Sequence, residues 1–470
     1  MATRPNDGFD RLLDALDHGQ LDRLTFMRRA LALGIAAPTV ATILAQLGAT
    51  RGVDAASQAV PSGTITYWTV PAANQAAFDQ GEGAIIKLFE KAYPHITVNV
   101  QQIPFADYST KLGTAARAGS PPDVARVNHP DIESYAGAGL LAPLDAYIRS
   151  SKVITPRDYF PGFYNVSFFK GKQYAIPTDT DNRCLYYNKR LFKQAGLVDG
   201  AGNARAPRTW TEMVQAAGQI TAKLKGVYPV AMATGNGGYG ASYQSFGNFM
   251  VTNGGYLLSQ RGKIRAQASQ NAATVQAWNW FYGDLFLKAQ AFAPGSVGMD
   301  GAGEQALFAR GVVAMAHDGP WLKPELVNPD MRFGRDYGLA PTPVRVLSQH
   351  PAGTQGGWLM GLFSKGKNPD AGWAFIEFIQ RPEINVIWCG ANAFPARNSV
   401  WKLKPFVDQP FYSVYRAQLP YSRPPITPLV PQLPQISQAL DTAANTVMLG
   451  KASPAAALRS WDAQVNAILG

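Results

Sequence analysis

Residues 84–104 read AIIKLFEKAYPHITVNVQQIP, and this stretch decides the fold class. Its first half spaces apolar side chains as an amphipathic helix does, whereas ITVNVQQIP has the β-branched residues and alternation of a strand. A second strand-like run, TITYWTV at residues 64–70, precedes it. Two strands joined through a helix pair in parallel, so the pattern predicts a βαβ unit and an α/β fold.

The same alternation of helix and strand continues along the chain. Further helices are predicted at residues 108–119, 209–224, 274–289, 304–311, 371–380, 434–450 and 453–469, and further strands at residues 122–128, 228–234, 312–317 and 337–341. The pattern favours a mostly parallel sheet. Because a single core stops growing at roughly 250–300 residues, 470 residues predict two lobes.

Charge and cysteine content restrict the possible partners. The net charge is +11, but the basic residues are scattered in ones and twos. Such scattered charges are most typical of a solvated surface, and next most typical of attraction to anionic partners or membrane headgroups. Nucleic acid is not an expected partner. The two cysteines, Cys184 and Cys389, form no metal or redox motif, and they are either one disulfide or two buried thiols.

The N-terminus has the layout of an export signal. Residues 30–49, ALALGIAAPTVATILAQLGA, carry no charge, follow Arg28 and Arg29, and precede a run of small residues. Cleavage near residues 55–59 is expected, so residues 1–58 are assigned to an export signal and linker. A membrane anchor is the alternative, because ~20 residues are long enough to span a bilayer.

The export route stays open. A twin-arginine signal has two adjacent arginines shortly before its phenylalanine, whereas residues 23–27, RLTFM, have one arginine there. No cysteine lies near the cleavage region to carry a lipid. We therefore expect an exported protein, periplasmic or at the cell surface.

The segment GNGGYG, residues 235–240, has the glycine spacing of a dinucleotide-binding turn. That fold needs an acidic residue about 20 positions later to hold the ribose. The first acidic residue is Asp284, so we expect no bound dinucleotide. We interpret the segment instead as a loop at the rim of the second lobe that brings Tyr239 or Tyr243 toward a cleft.

Motifs for catalysis are missing from the sequence. It contains no nucleophile elbow, zinc motif or phosphate-binding loop, and we predict no catalytic residue, cofactor or metal. Paired carboxylates for glycoside hydrolysis need only spatial proximity, so a secreted glycan-processing enzyme stays as an alternative of another class.

Tryptophans lie beside turn residues at Trp68, Trp321 and Trp358. An indole at such a place either caps a core or offers its face to a ligand. Sugar rings have C–H faces that stack on indoles and hydroxyls that need polar partners, so the three together favour a sugar cleft.

Nearly the whole mature chain resembles one family. The matching stretches are TITYWT, LFEKAYPHITVNVQQIPFADYSTKL, PPDVARVNHPDIESYAGAGLLAPLDAYI, YAIPTDTDNRCLYYNKRLFKQAGL, PRTWTEMVQAA, VTNGGYLL, FARGVVAMAHDGPW, YGLAPTPV and GGWLMGLFSKGKNPDAGWAFIEFI. Their order and spacing resemble the extracellular solute-binding proteins of ABC importers, in particular the family that serves carbohydrates.

The resemblance implies an α/β fold of the periplasmic-binding-protein-like type II class, with two α/β lobes, a multi-segment hinge and the ligand cleft between the lobes. The hinge crossings would lie near residues 180–183, 357–360 and 404–409. The first lobe would combine residues 62–180 and 360–405, and the second residues 184–357 and 412–470.

The resemblance also implies a function and a set of contacts. The protein would be a monomer that binds a sugar and passes it to an ABC permease, with an anionic solute such as a glycerophosphate compound as the alternative ligand. Its ligand contacts would be Trp68, Thr69, Asn128, His129, Asp131, Asp179, Asp181, Tyr243, Gln244, Trp321, Trp358 and Arg397.

Each of these contacts has a structural alternative. Asp131 is placed to cap a helix, and Asp179 or Asp181 to hold a turn. Arg397 is able to pair with a surface carboxylate, and His129 beside Pro130 to hydrogen-bond a loop.

The resemblance is incomplete at PQISQAL, residues 434–440, where some members of the family place an aromatic ring. A compact sugar, a disaccharide or a glycosylated polyol therefore fits at least as well as a long maltodextrin.

Overall fold

The computed structural model describes residues 61–71, 75–235 and 239–470. Ser62–Glu90 and His95–Gly470 form one compact unit. The predicted export segment, residues 1–58, and residues 236–238 of the glycine loop lie outside the described residues. Within the described ranges, no helix is long and apolar enough to cross a membrane.

Thirteen strands are assigned among the described residues: β1 Gly63–Thr69, β2 Ile96–Gln102, β3 Val124–Asn128, β4 Phe168–Phe169, β5 Lys172–Gln173, β6 Ile176–Pro177, β7 Asp179–Thr180, β8 Cys184–Asn188, β9 Tyr228–Ala231, β10 Val313–Asp318, β11 Tyr337–Ala340, β12 Trp358–Leu362 and β13 Phe394–Pro395.

The α-helices of the same ranges are α1 Gln75–Gln80, α2 Glu82–Ala92, α3 Phe105–Arg117, α4 Ile132–Gly137, α5 Asp145–Ser150, α6 Pro161–Tyr164, α7 Lys189–Ala195, α8 Trp210–Lys223, α9 Phe246–Thr252, α10 Ala272–Trp278, α11 Gly301–Ala309, α12 Pro369–Ile379, α13 Pro382–Asn392, α14 Pro410–Gln418, α15 Leu433–Met448 and α16 Pro454–Leu469.

A five-stranded sheet, in the order β2-β1-β3-β12-β6, forms the first lobe. Strand β1 has the pattern of a strand with one buried face, because Ile65, Tyr67 and Thr69 are buried in strict alternation. Strands β2 and β3 both run parallel to β1, which confirms the predicted βαβ unit. Strand β12 returns antiparallel to β3 and places Trp358 opposite Asn128, at the carboxyl end of β3.

A four-stranded sheet, in the order β11-β8-β10-β9, forms the second lobe. Here the prediction of a mostly parallel sheet is wrong: β9 is parallel to β10, but β8 is antiparallel to both β10 and β11. The reason is that β8 enters directly from the first lobe through residues 178–183. A strand that enters this way has no preceding crossover helix to fix its direction as parallel.

The core of the second lobe gathers helices from distant parts of the chain. Tryptophans Trp210 and Trp280 stack with ring centroids 4.6 Å apart. Helix α15 packs on α16 and on the π-helices Gly240–Gln244 and Asn279–Lys288. The helix predicted over residues 274–289 is therefore two elements, α10 followed by the second of these π-helices.

Both cysteines are free thiols and both are buried. The amide of Gln418 donates to Cys184 Sγ over 2.9 Å. Of the two alternatives left open by the sequence, the structure has two buried thiols.

Candidate functional site

A cavity of about 490 Å³ lies between the two sheets. From the first lobe it receives the residues that follow β1 and β3, including Val70 and His129. From the second it receives Trp321, which follows β10, and Tyr239 and Tyr243, which come later in the chain than β9. Ligands of α/β proteins are held at such carboxyl ends, so the sheets place the cavity where a ligand site is expected.

The extended segment 179–183, DTDNR, forms the floor of the cavity. Asp179, Asp181 and Arg183 line the cavity. Between them, Thr180 donates to the carbonyl of Gly356, and Asn182 donates to the carbonyl of Tyr415. Because side chains of an extended chain alternate between two faces, every second residue of this segment carries charge into the cavity.

Arg126 is the central charged group of the first-lobe wall. Its guanidinium donates to Glu82 Oε1 at 3.1 Å and to Asp179 Oδ2 at 3.3 Å. The same guanidinium lies over the rings of Trp358 and Trp388, with its Cζ atom 4.6 Å and 5.0 Å from the ring centroids. Contacts of this kind hold both indoles in place by cation–π attraction.

Asp179 connects this wall to the floor. It accepts hydrogen bonds from the indole of Trp388 at 2.7 Å and from the backbone N–H of Trp358 at 3.1 Å. Burial raises the pKa of Asp179 to about 6, and the neighbouring Arg126 opposes that rise. Without the arginine, the cost of burying this carboxylate would be higher.

Arg183, at the end of the floor segment, has the matching place on the second-lobe side of the cavity. It forms an ion pair with Asp181 and donates to Gln244 Oε1 at 3.1 Å. Its Cζ atom lies 4.9 Å from the ring centroid of Trp321. Asp181 also accepts a hydrogen bond from the backbone N–H of Gly356 at 3.0 Å. Burial raises the pKa of Asp181, and Arg183 opposes that rise.

Trp321 is fixed by two contacts besides Arg183. Its indole N–H donates to Asp318 Oδ2 at 2.9 Å. Gln305 donates from its amide nitrogen to the carbonyls of Trp321, Leu322 and Lys323, the closest at 2.7 Å. A Cβ atom on Gly319 would meet the indole ring, so the ring needs a glycine at that position. The half-buried indole is therefore held before any ligand arrives.

Two hydrogen bonds cross from the first lobe to the second beside the cavity. His129 Nε2 and the hydroxyl of Tyr243 are 2.9 Å apart, and the hydroxyl of Tyr239 donates to Asp131 Oδ1 at 3.2 Å. Burial lowers the pKa of His129 to about 3, and the charge of Arg183 acts in the same direction, so the ring is neutral near pH 7. Tyr239 of the glycine segment and Tyr243, three residues after its end, both line the cavity.

Among the described residues that line the cavity, the buried atoms Arg126 Nε and His129 Nδ1 have no hydrogen-bond partner in the protein. Hydroxyl groups of a ligand both donate and accept, so they suit the polar side chains of the lining. The cavity thus combines aromatic faces with hydrogen-bonding atoms that suit a polyhydroxylated molecule.

Eight of the predicted contacts line this cavity, namely Asn128, His129, Asp179, Asp181, Tyr243, Gln244, Trp321 and Trp358. Four do not line it. Trp68 lies within β1, and Thr69 donates to Glu82 Oε1 at 3.1 Å. Asp131 accepts from Ser109 and from Tyr239.

The fourth, Arg397, lies outside the cavity lining. Its Nε atom donates to Asp158 Oδ2 at 2.7 Å, and its guanidinium covers the ring of Tyr159. Arg397 is buried and its partner Asp158 is half-buried, so the structure gives Arg397 a packing role instead of a place in the cavity.

The sequence did not predict several lining residues, among them Glu82, Arg126, Arg183, Gln305 and Trp388. One signal for Arg126 was available, because a lone charge inside the buried strand VARVN needs a partner. For Arg183 the available signal was its position, because it continues the two-residue spacing of Asp179 and Asp181. Trp388 lies inside α13, where nothing in the helical pattern separates it from a core residue.

Comparison with known proteins identifies a family. The family model for bacterial extracellular solute-binding proteins matches residues 68–386. A putative binding protein of Brucella abortus is 25% identical over 82% of this chain and 88% of its own length. The maltotriose-binding protein of Pyrococcus abyssi is 23% identical over 69% of this chain and 64% of its own length.

The solved structure of a solute-binding protein has the same fold as this chain. An ABC transporter solute-binding protein of Thermotoga lettingae, bound to α-D-tagatose, superposes with a TM-score of 0.76. It is 28% identical, and the match covers 87% of this chain and 100% of that protein. The predicted type II architecture of two α/β lobes is confirmed.

Proposed function

Because this chain belongs to the bacterial extracellular solute-binding protein family, we propose that it binds a sugar outside the cytoplasm and delivers it to an ABC permease. The observation that carries the proposal is the set of three indoles, Trp321, Trp358 and Trp388, that line one cavity and contact its two arginines. Aromatic faces next to fixed polar groups are suited to sugar rings.

The ligand we propose is a compact neutral sugar. The described residues that line the cavity of about 490 Å³ include none from α15, the helix in which an aromatic ring would extend the site. Ligand pockets of roughly 300–1,000 Å³ hold small molecules, and this cavity lies at the lower end of that range. The ligands of two relatives, tagatose and maltotriose, define the sizes to test first.

The hydrogen bonds and ion pair made by two carboxylates of the cleft support a binding function, as opposed to a catalytic one. Asp179 accepts from Trp388 and Trp358, and Asp181 is paired with Arg183. A general acid and a nucleophile for glycoside hydrolysis need carboxyl groups that are free to reach the substrate. These two are held by protein groups.

We further propose that the lobes, residues 62–180 with 360–405 and residues 184–357 with 412–470, close around the ligand as two bodies. Support comes from the crossing segments at Asp181 and Gly356, which pair with one another and join the two sheets. Closure on ligand selects one member of an open and closed equilibrium. A decrease in the radius of gyration on addition of sugar would report it.

Export is proposed from the uncharged run at residues 30–49 and from the extracellular family. We propose a mature protein that begins after residue 58, is monomeric and is located in the periplasm or at the cell surface, without a lipid anchor. N-terminal sequencing of the protein recovered from cells distinguishes a cleaved signal from an uncleaved anchor.

A thermal-shift screen tests the proposed function. D-tagatose, maltotriose, disaccharides, polyols and phosphate esters are added separately to the mature protein. A ligand that binds only the native state raises Tm according to its concentration relative to Kd. We expect at least one neutral sugar to raise Tm. If no sugar does so and the protein hydrolyses a glycoside, it is an enzyme instead.

A further inference from the structure

The charge of the cavity is opposite to the charge of the chain. The whole chain carries +11, but the described residues that line the cavity include four carboxylates, Glu82, Asp179, Asp181 and Asp300, and two guanidinium groups. His129 adds no charge near pH 7, because its pKa is lowered to about 3 by burial and by Arg183. A solute that enters therefore meets an acidic surface.

On the second-lobe side, Arg183 interacts with three carboxyl groups, of which Asp181 lines the cavity and the buried Asp318 and Glu304 do not. Asp181 forms the direct ion pair with Arg183. The same positive charge lowers the pKa of buried Asp318 and Glu304, although burial is the larger effect and leaves the pKa of Asp318 raised to about 6 and that of Glu304 well above its ordinary value. Arg183 also donates to the side chain of Gln244 and to the carbonyl of Thr354. The Nε and Nη1 donors of Arg183 are therefore used by the protein.

The first-lobe wall has the same arrangement. Both terminal nitrogens of Arg126 are paired, one with Glu82 and the other with Asp179. The two arginines that would attract an anionic ligand are therefore neutralised within the protein. A ligand carboxylate or phosphate in this cavity would lie among carboxylates of the same sign, with little water to screen them.

We propose that this cleft selects against anionic sugars, and that Asp181 is the residue that sets the selection. The proposal depends on the proposed sugar-binding function and specifies its substrate class as neutral sugars, as distinct from uronates and sugar phosphates. Hydroxyl groups both donate and accept, so a neutral sugar satisfies carboxylates and guanidinium groups alike. Asp181 is decisive because it is the one carboxylate within ion-pair distance of Arg183 among the described residues.

The test replaces Asp181 by asparagine, which keeps an oxygen for the N–H of Gly356 and removes the charge. The probes are D-glucuronate, D-galacturonate, α-D-glucose 1-phosphate and inorganic phosphate, each compared with D-glucose or D-galactose by thermal shift and calorimetry. We expect the wild type to show no Tm increase with the anions. We expect Asp181→Asn to bind at least one anion about tenfold more tightly than the wild type does.

Two controls separate this effect from a general change of charge. Asp179→Asn leaves Arg126 paired with Glu82, so its gain in anion affinity should stay below about threefold. Asp158→Asn removes a carboxylate from the ion pair with Arg397 outside the cavity and should produce no gain. If Asp181→Asn does not fold, Asp318→Asn removes the next carboxylate acting on Arg183 and should shift anion affinity in the same direction.

The outcomes are distinct. An Asp181→Asn protein that responds to anions no more than the wild type does would overturn the proposal, as would a wild type that binds glucuronate more tightly than glucose. Failure of every neutral sugar to bind the wild type would instead contradict the proposed function.

Discussion

Replacement of Trp321 by alanine should weaken sugar binding without unfolding the protein. One face of the indole is covered by Arg183, with the guanidinium carbon 4.9 Å from the ring centroid, and the ring remains half-buried at the cavity. An aromatic contact contributes about 0.5–1.5 kcal/mol beyond burial. With the burial of the sugar face included, we expect a loss of more than about 1 kcal/mol, or at least a fivefold rise in Kd.

The indole N–H makes a second contribution, which a matched variant separates. It donates to Asp318 Oδ2, and removal of that donor leaves a buried carboxylate with one partner fewer. Such a loss costs about 1–3 kcal/mol of stability. Trp321→Phe lacks the N–H but keeps an aromatic face, so it should lose stability as Trp321→Ala does while retaining part of the affinity.

The assay is isothermal titration with the sugar that gives the largest thermal shift, on wild type and both variants, with urea unfolding of each protein in parallel. An affinity of Trp321→Ala within twofold of the wild type would refute the reasoning, because the indole would then be a core residue. If Trp321→Phe binds as weakly as Trp321→Ala, the hydrogen bond to Asp318 is the important contact and the ring face is not.

Three further changes are predicted. Trp358→Ala should also weaken sugar binding by more than about 1 kcal/mol in titration calorimetry, and unchanged affinity would assign this indole to the core. Gly319→Ala should displace the ring of Trp321 and weaken binding, but add nothing to Trp321→Ala in a double-mutant cycle; additive losses would mean that the glycine acts elsewhere. Burial raises the pKa of Asp441 to about 7, although the hydrogen bonds that it accepts from Gly240 and Ala241 oppose that rise. Because the folded state holds this proton more tightly than the unfolded state does, the free energy of unfolding falls as pH rises from about 4 to 7. Relative to wild type, Asp441→Asn should therefore gain up to about 4 kcal/mol over this range in urea unfolding, and a constant difference would contradict the shift.

The regular elements of the fold were predictable because apolar periodicity is a local property. Residues 84–104 gave a helix and a strand at the correct places, and residues 209–224 gave α8. The direction of β8 was not predictable, because the alternation of side chains is the same for parallel and antiparallel neighbours. The π-helix at residues 279–288 was hidden for a similar reason, since an apolar run does not encode its hydrogen-bond spacing.

The site was partly predictable, through residues that follow strands. His129 comes directly after β3 and Trp321 three residues after the end of β10, and both line the cavity. Trp388 and Glu82 were missed because they lie on helices that only the tertiary fold brings to the cavity. Trp68 was selected for its residue type, but on β1 the side chains that alternate with it are the buried ones.

The segment 179–183 connects the lobes and also supplies the charges of the cavity floor, and this double use constrains the length of the segment. Loss or gain of one residue there would turn Asp181 and Arg183 away from the cavity and bring Thr180 and Asn182 into it, which would replace a charged floor by a neutral polar one in a single step. A substitution within DTDNR keeps the alternation of the floor, whereas a change in its length does not. Gln305 and Trp388 also line the cavity but take no part in this connection, so a substitution at either position changes the lining without changing the link between the lobes.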